Sequence, residues 1–141
     1  MKVSANFSDY EFVPPGIYEH FVDKSVWFID PRIVVIAQFI RDRFKATVTI
    51  NNYMAGGNYQ YSAFRDHTCA IGAENSQHRH GRAIDFRVKN KTPEEIRADI
   101  IANFELYRKA GLTTIEAGTT TWVHADCRFT NRDSLLIVPF K

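Results

Sequence analysis

Apolar residues recur along the chain at two spacings, which predict where its helices and strands lie. A first helix is predicted after Asp30, a favourable N-cap that is followed by proline. Five apolar residues then share one helical face: Ile33, Ile36, Ala37, Ile40 and Phe44. A second helix begins with the capping-box sequence Thr92-Pro93-Glu94-Glu95 and ends near Gly111. Its apolar face consists of Ile96, Ile100, Ile101 and Phe104.

Five segments have the character of strands. Residues 47–50 are rich in β-branched side chains, and residues 83–88 alternate between apolar and polar. Three shorter strands are predicted at 112–116, 121–126 and 135–138. Helices and strands are segregated along the chain and do not alternate as βαβ units. This order predicts an α+β fold, in which two main helices flank a small antiparallel sheet.

Two stretches of the chain show neither the helical nor the strand spacing of apolar residues. The first 25 residues are aromatic and irregular, and Pro14-Pro15-Gly16 predicts a turn there. Residues 51–80 contain a Gly-Gly pair and several aromatic residues but no repeating pattern. Loops of this length in a compact domain are usually functional, so we expect part of the site here.

Composition narrows the function classes. A chain of 141 residues, 45% hydrophobic and 24% charged, predicts one folded domain over residues 1–141. The net charge of +2 argues against binding to nucleic acid or to an anionic membrane. The longest apolar run, residues 33–40, is far shorter than the ~20 residues of a membrane-spanning helix. The N-terminal segment has no apolar core, so no secretory signal is expected.

Two short fragments contain residues that bind metal ions. His78 stands at the end of the long loop, and Asp85 lies within the strand that follows it. Gly81 permits a sharp turn between them, so both side chains could reach one ion. His124 lies on a later strand that could pair with the first. Three such ligands are typical of a catalytic zinc site, which keeps its fourth position for water.

Taken together, the fragments resemble the zinc D-alanyl-D-alanine carboxypeptidase and L-alanyl-D-glutamate endolysin family, including its phage-type members. The first fragment supplies a Ser-x-His-x-x-Gly-x-Ala-x-Asp pattern, and the second supplies Trp-x-His-x-Asp. The residues of these patterns are Ser76, His78, Gly81, Ala83, Asp85, Trp122, His124 and Asp126. The resemblance also includes residues 6–12, 48–52 and 61–65, and it extends over roughly residues 6 to 130.

The resemblance implies roles for individual residues. His78, Asp85 and His124 match the family's zinc ligands. Arg65 matches an arginine that holds a substrate carboxylate, and Ser76 is assigned to substrate binding with it. Many members place a general base three residues before the last ligand, but that position is Thr121 here, which cannot accept a proton.

Two other carboxylates could serve as the base. Glu116 ends the preceding strand, and a short connection that contains Gly118 suits a hairpin returning it to the metal. Asp126 lies two residues beyond His124 on the same face of its strand. We expect Glu116 to be the base and Asp126 to support the site through hydrogen bonds.

Several other candidates have weaker cases. His80 is expected to lie in solvent or behind the ligands, and His67 either lines the cleft or is an ordinary loop histidine. Cys69 and Cys127 lack the Cys-x-x-Cys spacing of a zinc site. Both cysteines can lie near the site, as free thiols or as one disulfide.

The sequence therefore predicts a zinc metallopeptidase that hydrolyses amide bonds in the stem peptides of bacterial peptidoglycan. The alternative is a zinc-binding structural or binding module of a phage particle, without turnover. A free lysin would be a monomer and would lie in the host cytoplasm before its release to the cell wall. A virion-attached form would travel with the particle.

Overall fold

A computed structural model describes residues 1–140, and this part of the chain has the predicted α+β fold. It contains four α-helices: α1 (Pro15–Phe21), α2 (Pro31–Phe44), α3 (Pro93–Ala102) and α4 (Phe104–Ala110). Its five strands are β1 (Val48–Thr49), β2 (Ala83–Val88), β3 (Thr114–Ala117), β4 (Val123–Asp126) and β5 (Leu136–Pro139). All five strands belong to one sheet.

The two main helices begin where their caps predicted. A carboxylate oxygen of Asp30 accepts a hydrogen bond of 2.9 Å from the backbone N–H of Arg32, at the start of α2. The hydroxyl of Thr92 likewise accepts from the N–H of Glu95, at 3.1 Å. Both contacts satisfy backbone donors that a helix start leaves without partners. None of the helices in residues 1–140 has the length and apolar character needed to cross a lipid bilayer.

Two helical expectations were wrong. The second predicted helix is divided into α3 and α4 at Asn103, whose backbone leaves the helical region and whose side-chain amide donates to the Asp99 carbonyl oxygen. The apolar period continues through this break, so the pattern did not reveal it. The expected turn at Pro14-Pro15-Gly16 instead starts α1, because Pro15 occupies the first helical position, where a fixed φ favours the helix.

The strand order is β1-β2-β4-β3-β5, and β5 corrects the expectation of a wholly antiparallel sheet. The three pairings β1–β2, β2–β4 and β3–β4 are antiparallel, whereas β5 runs parallel to β3. Asp126 at the end of β4 lies opposite Thr114 at the start of β3. Residues 127–135 return the chain at that same end, so β5 follows the outer edge of β3 in the same direction.

Alternation along the strands gives the sheet two different faces. On β2, Ile84 and Phe86 are fully buried in the core beneath the helices, whereas Asp85 projects to the other side. On β4, Val123 and Ala125 join the same core. The polar residues between them therefore lie on the opposite face, where the candidate site is found.

Candidate metal centre

Three predicted ligands converge on the open face of the sheet. His78 belongs to a 3₁₀ turn, Gln77–His80, and the other two lie on neighbouring strands, where Asp85 is directly opposite His124. One ligand atom from each of the three lies within 4.8 Å of the other two. The arrangement is close enough to hold one metal ion, as the sequence predicted.

A tight turn places His78. Gly81 ends the 3₁₀ turn with φ +67°, in the left-handed region that favours glycine. A Cβ at this position would lie 2.1 Å from the carbonyl oxygen of Phe28. The hydroxyl of Ser76 caps the other end of the turn by accepting from the N–H of His78 at 3.3 Å. Glycine thus allows the turn to pack closely against the segment that precedes α2.

The hydrogen-bond partners of the two rings leave one nitrogen of each free for a metal. Nδ1 of His78 lies 2.8 Å from the carbonyl oxygen of Ala63, which can only accept, so Nδ1 carries the proton and Nε2 is available. Nε2 of His124 lies 2.7 Å from the carboxylate of Asp126. Its Nδ1 faces Asp85 at 3.1 Å. Such outer contacts orient metal-binding histidines.

The Asp126 side chain is in turn held in place by an arginine. Arg128 donates to both of its carboxylate oxygens, from Nε at 2.9 Å and from Nη2 at 2.6 Å. Asp126 is fully buried, and its bonds to His124 and Arg128 hold its pKa below the usual range although burial alone would raise it. This geometry agrees with the expected supporting role, because both oxygens already accept hydrogen bonds from Arg128 and one of them also contacts His124.

The three ligands differ in charge. Burial lowers the pKa of His78, and the carboxylate of Asp85 offsets this only in part. Burial disfavours the charged ring of His124, but three hydrogen-bonded carboxylates outweigh it and raise its pKa well above the usual value. Burial alone would raise the pKa of Asp85, yet the two histidines hold it far below its ordinary range. The raised pKa favours the protonated ring of His124 when no metal is bound.

Glu116 lies where the predicted hairpin would bring it. β3 and β4 pair in antiparallel fashion, and Oε1 of Glu116 is 3.0 Å from Nδ1 of His124. Its side chain remains partly exposed and lines the cleft. Thr121, in the loop of the same hairpin, is exposed. A carboxylate thus adjoins the ligands although the position three residues before His124 is threonine.

Arg65 makes a contact that the sequence did not predict. Its Nη2 donates to Oδ2 of Asp85 at 3.0 Å, and its Nε donates to the carbonyl oxygen of Tyr61 at 2.8 Å. The guanidinium thus holds the oxygen of Asp85 that does not face the histidines. Arg65 and Ser76 both line the cleft, where a substrate could reach them. Their roles in substrate binding stay predictions.

The three candidate ligands line an open cleft of about 650 Å³. The long loop lines it as well, as expected of a loop that contributes to the site, through Ile71, Gly72, Ala73, Asn75, Ser76 and Gln77. Trp122 and Phe140 line the cleft as well, with ring centroids 5.3 Å apart and planes at 90°. Sequence reasoning missed Phe140, because nothing in the pattern predicted that β5 would bring it to Trp122.

The remaining candidates lie outside the ligand set. His80 is exposed at the end of its turn, and His67 lines a second pocket next to the cleft. Cys69 and Cys127 are both buried and free, which decides between the thiols and the disulfide. Burial raises the pKa of the Cys127 thiol to about 12, so this thiol stays protonated.

Comparison of the chain with protein-family models, curated proteins and solved structures found no match.

Proposed function

We propose that the protein is a zinc-dependent hydrolase of amide bonds in the stem peptides of bacterial peptidoglycan. The observation that carries this proposal is the convergence of two histidines, one aspartate and the carboxylate of Glu116 in one open cleft. The motif resemblance described above supplies the substrate class.

The donor set suits zinc. Two imidazole nitrogens and one carboxylate oxygen are the ligands of many catalytic zinc sites, which leave a fourth position open. The outer ring nitrogen of His78 is hydrogen-bonded to Ala63, and that of His124 to Asp126. These contacts support the assignment, since they leave the other nitrogen of each ring to face an ion. Zinc in such a site activates water at neutral pH and polarises the carbonyl that is attacked.

The protein's own groups would perform the proton transfers. Glu116 is positioned to accept a proton from the attacking water and to deliver it to the amine that leaves. The ring of His124 is kept in place by Asp126, which in turn is held by Arg128. Arg65, whose Nη1 faces Gly72 at the edge of the cleft, is available to hold a substrate carboxylate.

The test combines metal analysis with mass spectrometry of muropeptides after digestion. We expect near-stoichiometric zinc, new peptide products, and the loss of both in His78→Ala and His124→Ala. Glu116→Gln should retain zinc but lose hydrolysis, whereas Glu94→Gln, at an exposed carboxylate on α3, should retain both. Zinc that survives both histidine substitutions, or hydrolysis at the original rate in Glu116→Gln, would contradict the assignment. Peptidoglycan binding without products would favour the non-catalytic module.

A further inference from the structure

The cleft segment, residues 66–75 of the long loop, exposes most of its own surface. Four of its residues line the metal cleft: Ile71, Gly72, Ala73 and Asn75. The segment contains no helix or strand, and Cys69 is its only buried residue. A segment that buries so little apolar surface opens easily unless hydrogen bonds hold it. Its conformation therefore depends on the polar contacts that join it to the rest of the chain.

One side chain, that of Arg79, supplies these contacts. Its Nη1 donates to the carbonyl oxygen of Asp66 at 3.0 Å, its Nη2 to that of Cys69 at 2.9 Å, and its Nε to that of Ala73 at 3.4 Å. Apart from one backbone bond in the turn that ends the segment, no other hydrogen bond within residues 1–140 joins it to the chain outside it. A single guanidinium thus holds the segment at three separate points.

Arg79 is placed to act through the segment and not by contacting a substrate in the metal cleft. All three of its guanidinium nitrogens are engaged, and it lines the second pocket, next to the cleft. Its backbone belongs to the same 3₁₀ turn as His78. The ring of His78, however, is hydrogen-bonded to Ala63 and not to this arginine. Arg79 therefore joins the cleft segment to the turn without itself holding the metal ligand.

We propose that Arg79 is a positioning residue that keeps the cleft segment preformed for the peptide substrate. This inference rests on the proposed function and adds a residue that governs how tightly the site binds its substrate. If the segment is released, only a fraction of the molecules has the complete cleft lining at any moment. The apparent affinity for the substrate then falls in proportion to that fraction.

The first measurement needs no substrate. The wild-type protein, Arg79→Ala and Arg79→Lys are treated with proteinase K, and the cut sites are identified by mass spectrometry. Cleavage within residues 66–75 should be about tenfold faster in both variants, because proteolysis follows the population of the open form. Lysine keeps the positive charge, but its single ammonium lacks the planar fork that reaches three carbonyls. Arg132→Ala, which removes an exposed guanidinium that donates to Ser134, should leave the rate unchanged.

The second measurement separates positioning from general stability. Hydrolysis of muropeptides by both Arg79 variants should show a KM raised about tenfold and a kcat within about twofold of the original. Zinc affinity, measured by competition with a chelator, should be unchanged. A purely structural role would instead reduce the amount of folded enzyme, which lowers the apparent kcat and leaves KM unaltered.

The outcomes distinguish this proposal from the proposed function. An unchanged KM in Arg79→Ala, or proteolysis of that variant at the wild-type rate, would overturn the role of Arg79. A wild-type KM in Arg79→Lys would overturn it too, since charge alone would then suffice. If the wild-type protein hydrolyses no muropeptide, the proposed function fails. Faster proteolysis of both variants would in that case still support the role of Arg79 in holding the segment, and equal rates would refute it.

Discussion

The turn that carries His78 and the strand that carries His124 hold the same kind of side chain at the candidate metal site in different ways. His78 is backed by the neutral carbonyl of Ala63, at the end of a long loop. His124 is backed by a buried carboxylate, in the middle of the sheet. Accordingly, the pKa of His78 is lowered by burial, whereas hydrogen-bonded carboxylates raise that of His124 against the effect of burial.

The difference shows that the two parts of the site, the turn with His78 and the strand with His124, are held in place by different interactions. The position of His78 depends on backbone geometry, because a glycine turn and a carbonyl determine where its ring lies. The position of His124 depends on charge, since a row of alternating charged groups runs from Arg128 through Asp126 to the ring. A substitution in the turn and a substitution in the strand should therefore change different measured properties of the protein.

The largest effect is expected from Gly81→Ala, which perturbs the turn. The left-handed φ of +67° and the 2.1 Å approach of a Cβ to the Phe28 carbonyl oxygen both oppose a side chain here. Backbone strain of this kind costs about 1–3 kcal/mol in the free energy of unfolding, which chemical denaturation measures.

Gly16→Ala is the control for this substitution. Gly16 lies within α1, and nothing lies within 4 Å of a Cβ built on it. Alanine there should stabilise the protein by roughly 0.5–1 kcal/mol. Equal stability of the two variants would show that the turn is not constrained as described.

Asp126→Asn should weaken the strand half while sparing the turn. The substitution removes the negative charge that orients His124 and leaves Arg128 without its partner. Loss of such outer contacts typically lowers metal affinity about 10–100-fold, which competition with a chelator measures. Asp133→Asn, at an exposed carboxylate paired with Arg108, should leave zinc affinity unchanged. Unaltered affinity in Asp126→Asn would remove the distinction between the two histidines.

The pH dependence of zinc binding should reveal the proton on His124. Since its pKa is raised in the metal-free protein, zinc must displace one proton, and affinity should rise about tenfold per pH unit up to that pKa. His78, whose pKa is lowered, has no proton to release at neutral pH. Chelator competition between pH 6 and 8 measures the slope, and a flat profile would contradict the prediction.

The same proton affects stability without metal. A histidine whose folded pKa is raised stabilises the protein fully below its unfolded pKa, and this stabilisation is lost as pH rises through the folded pKa. The metal-free protein should thus become less stable above neutral pH, while stabilisation by zinc increases. Thermal unfolding of both forms across this range gives the comparison.

The smallest effect is expected from Arg97→Ala, which acts on the hairpin between β3 and β4. Arg97 donates to the hydroxyl and the carbonyl oxygen of Thr119, at 2.7 Å and 2.8 Å. Thr119 in turn donates to the carbonyl oxygen of Trp122. Loss of these contacts should cost roughly 1 kcal/mol in stability and increase hydrogen exchange in the hairpin. Arg132→Ala, at an exposed side chain, is the control, and equal exchange in both would contradict the assignment.

Local rules account for what the sequence could predict. The ligand set followed from a glycine turn and from strand alternation, which place Asp85 and His124 on one face. The hairpin that returns Glu116 to His124 followed from a short connection. Each of these depends on neighbouring residues or on a single pairing, and patterns capture such relations well.

Long-range contacts account for the rest. The parallel position of β5 depends on where residues 127–135 leave the sheet, and no local period specifies that path. Arg65 pairs with Asp85, which lies beyond the long loop, and Arg79 contacts carbonyl oxygens within that loop. The loop has no repeating apolar pattern from which either contact could be predicted. Asn103 interrupts a helix whose apolar spacing continues past it. Only the assembled chain defines these features.

The two buried thiols can report local opening of the structure in two different regions. Cys127 directly follows the central strand β4, whereas Cys69 lies in the long loop, where its carbonyl oxygen accepts from Arg79. An alkylating reagent can reach a buried thiol only after the structure around it opens. The labelling rate of Cys69 would then report local opening of the loop beside the cleft, and that of Cys127 would report opening of the sheet. Comparing the two rates with and without zinc would show which motion the ion suppresses.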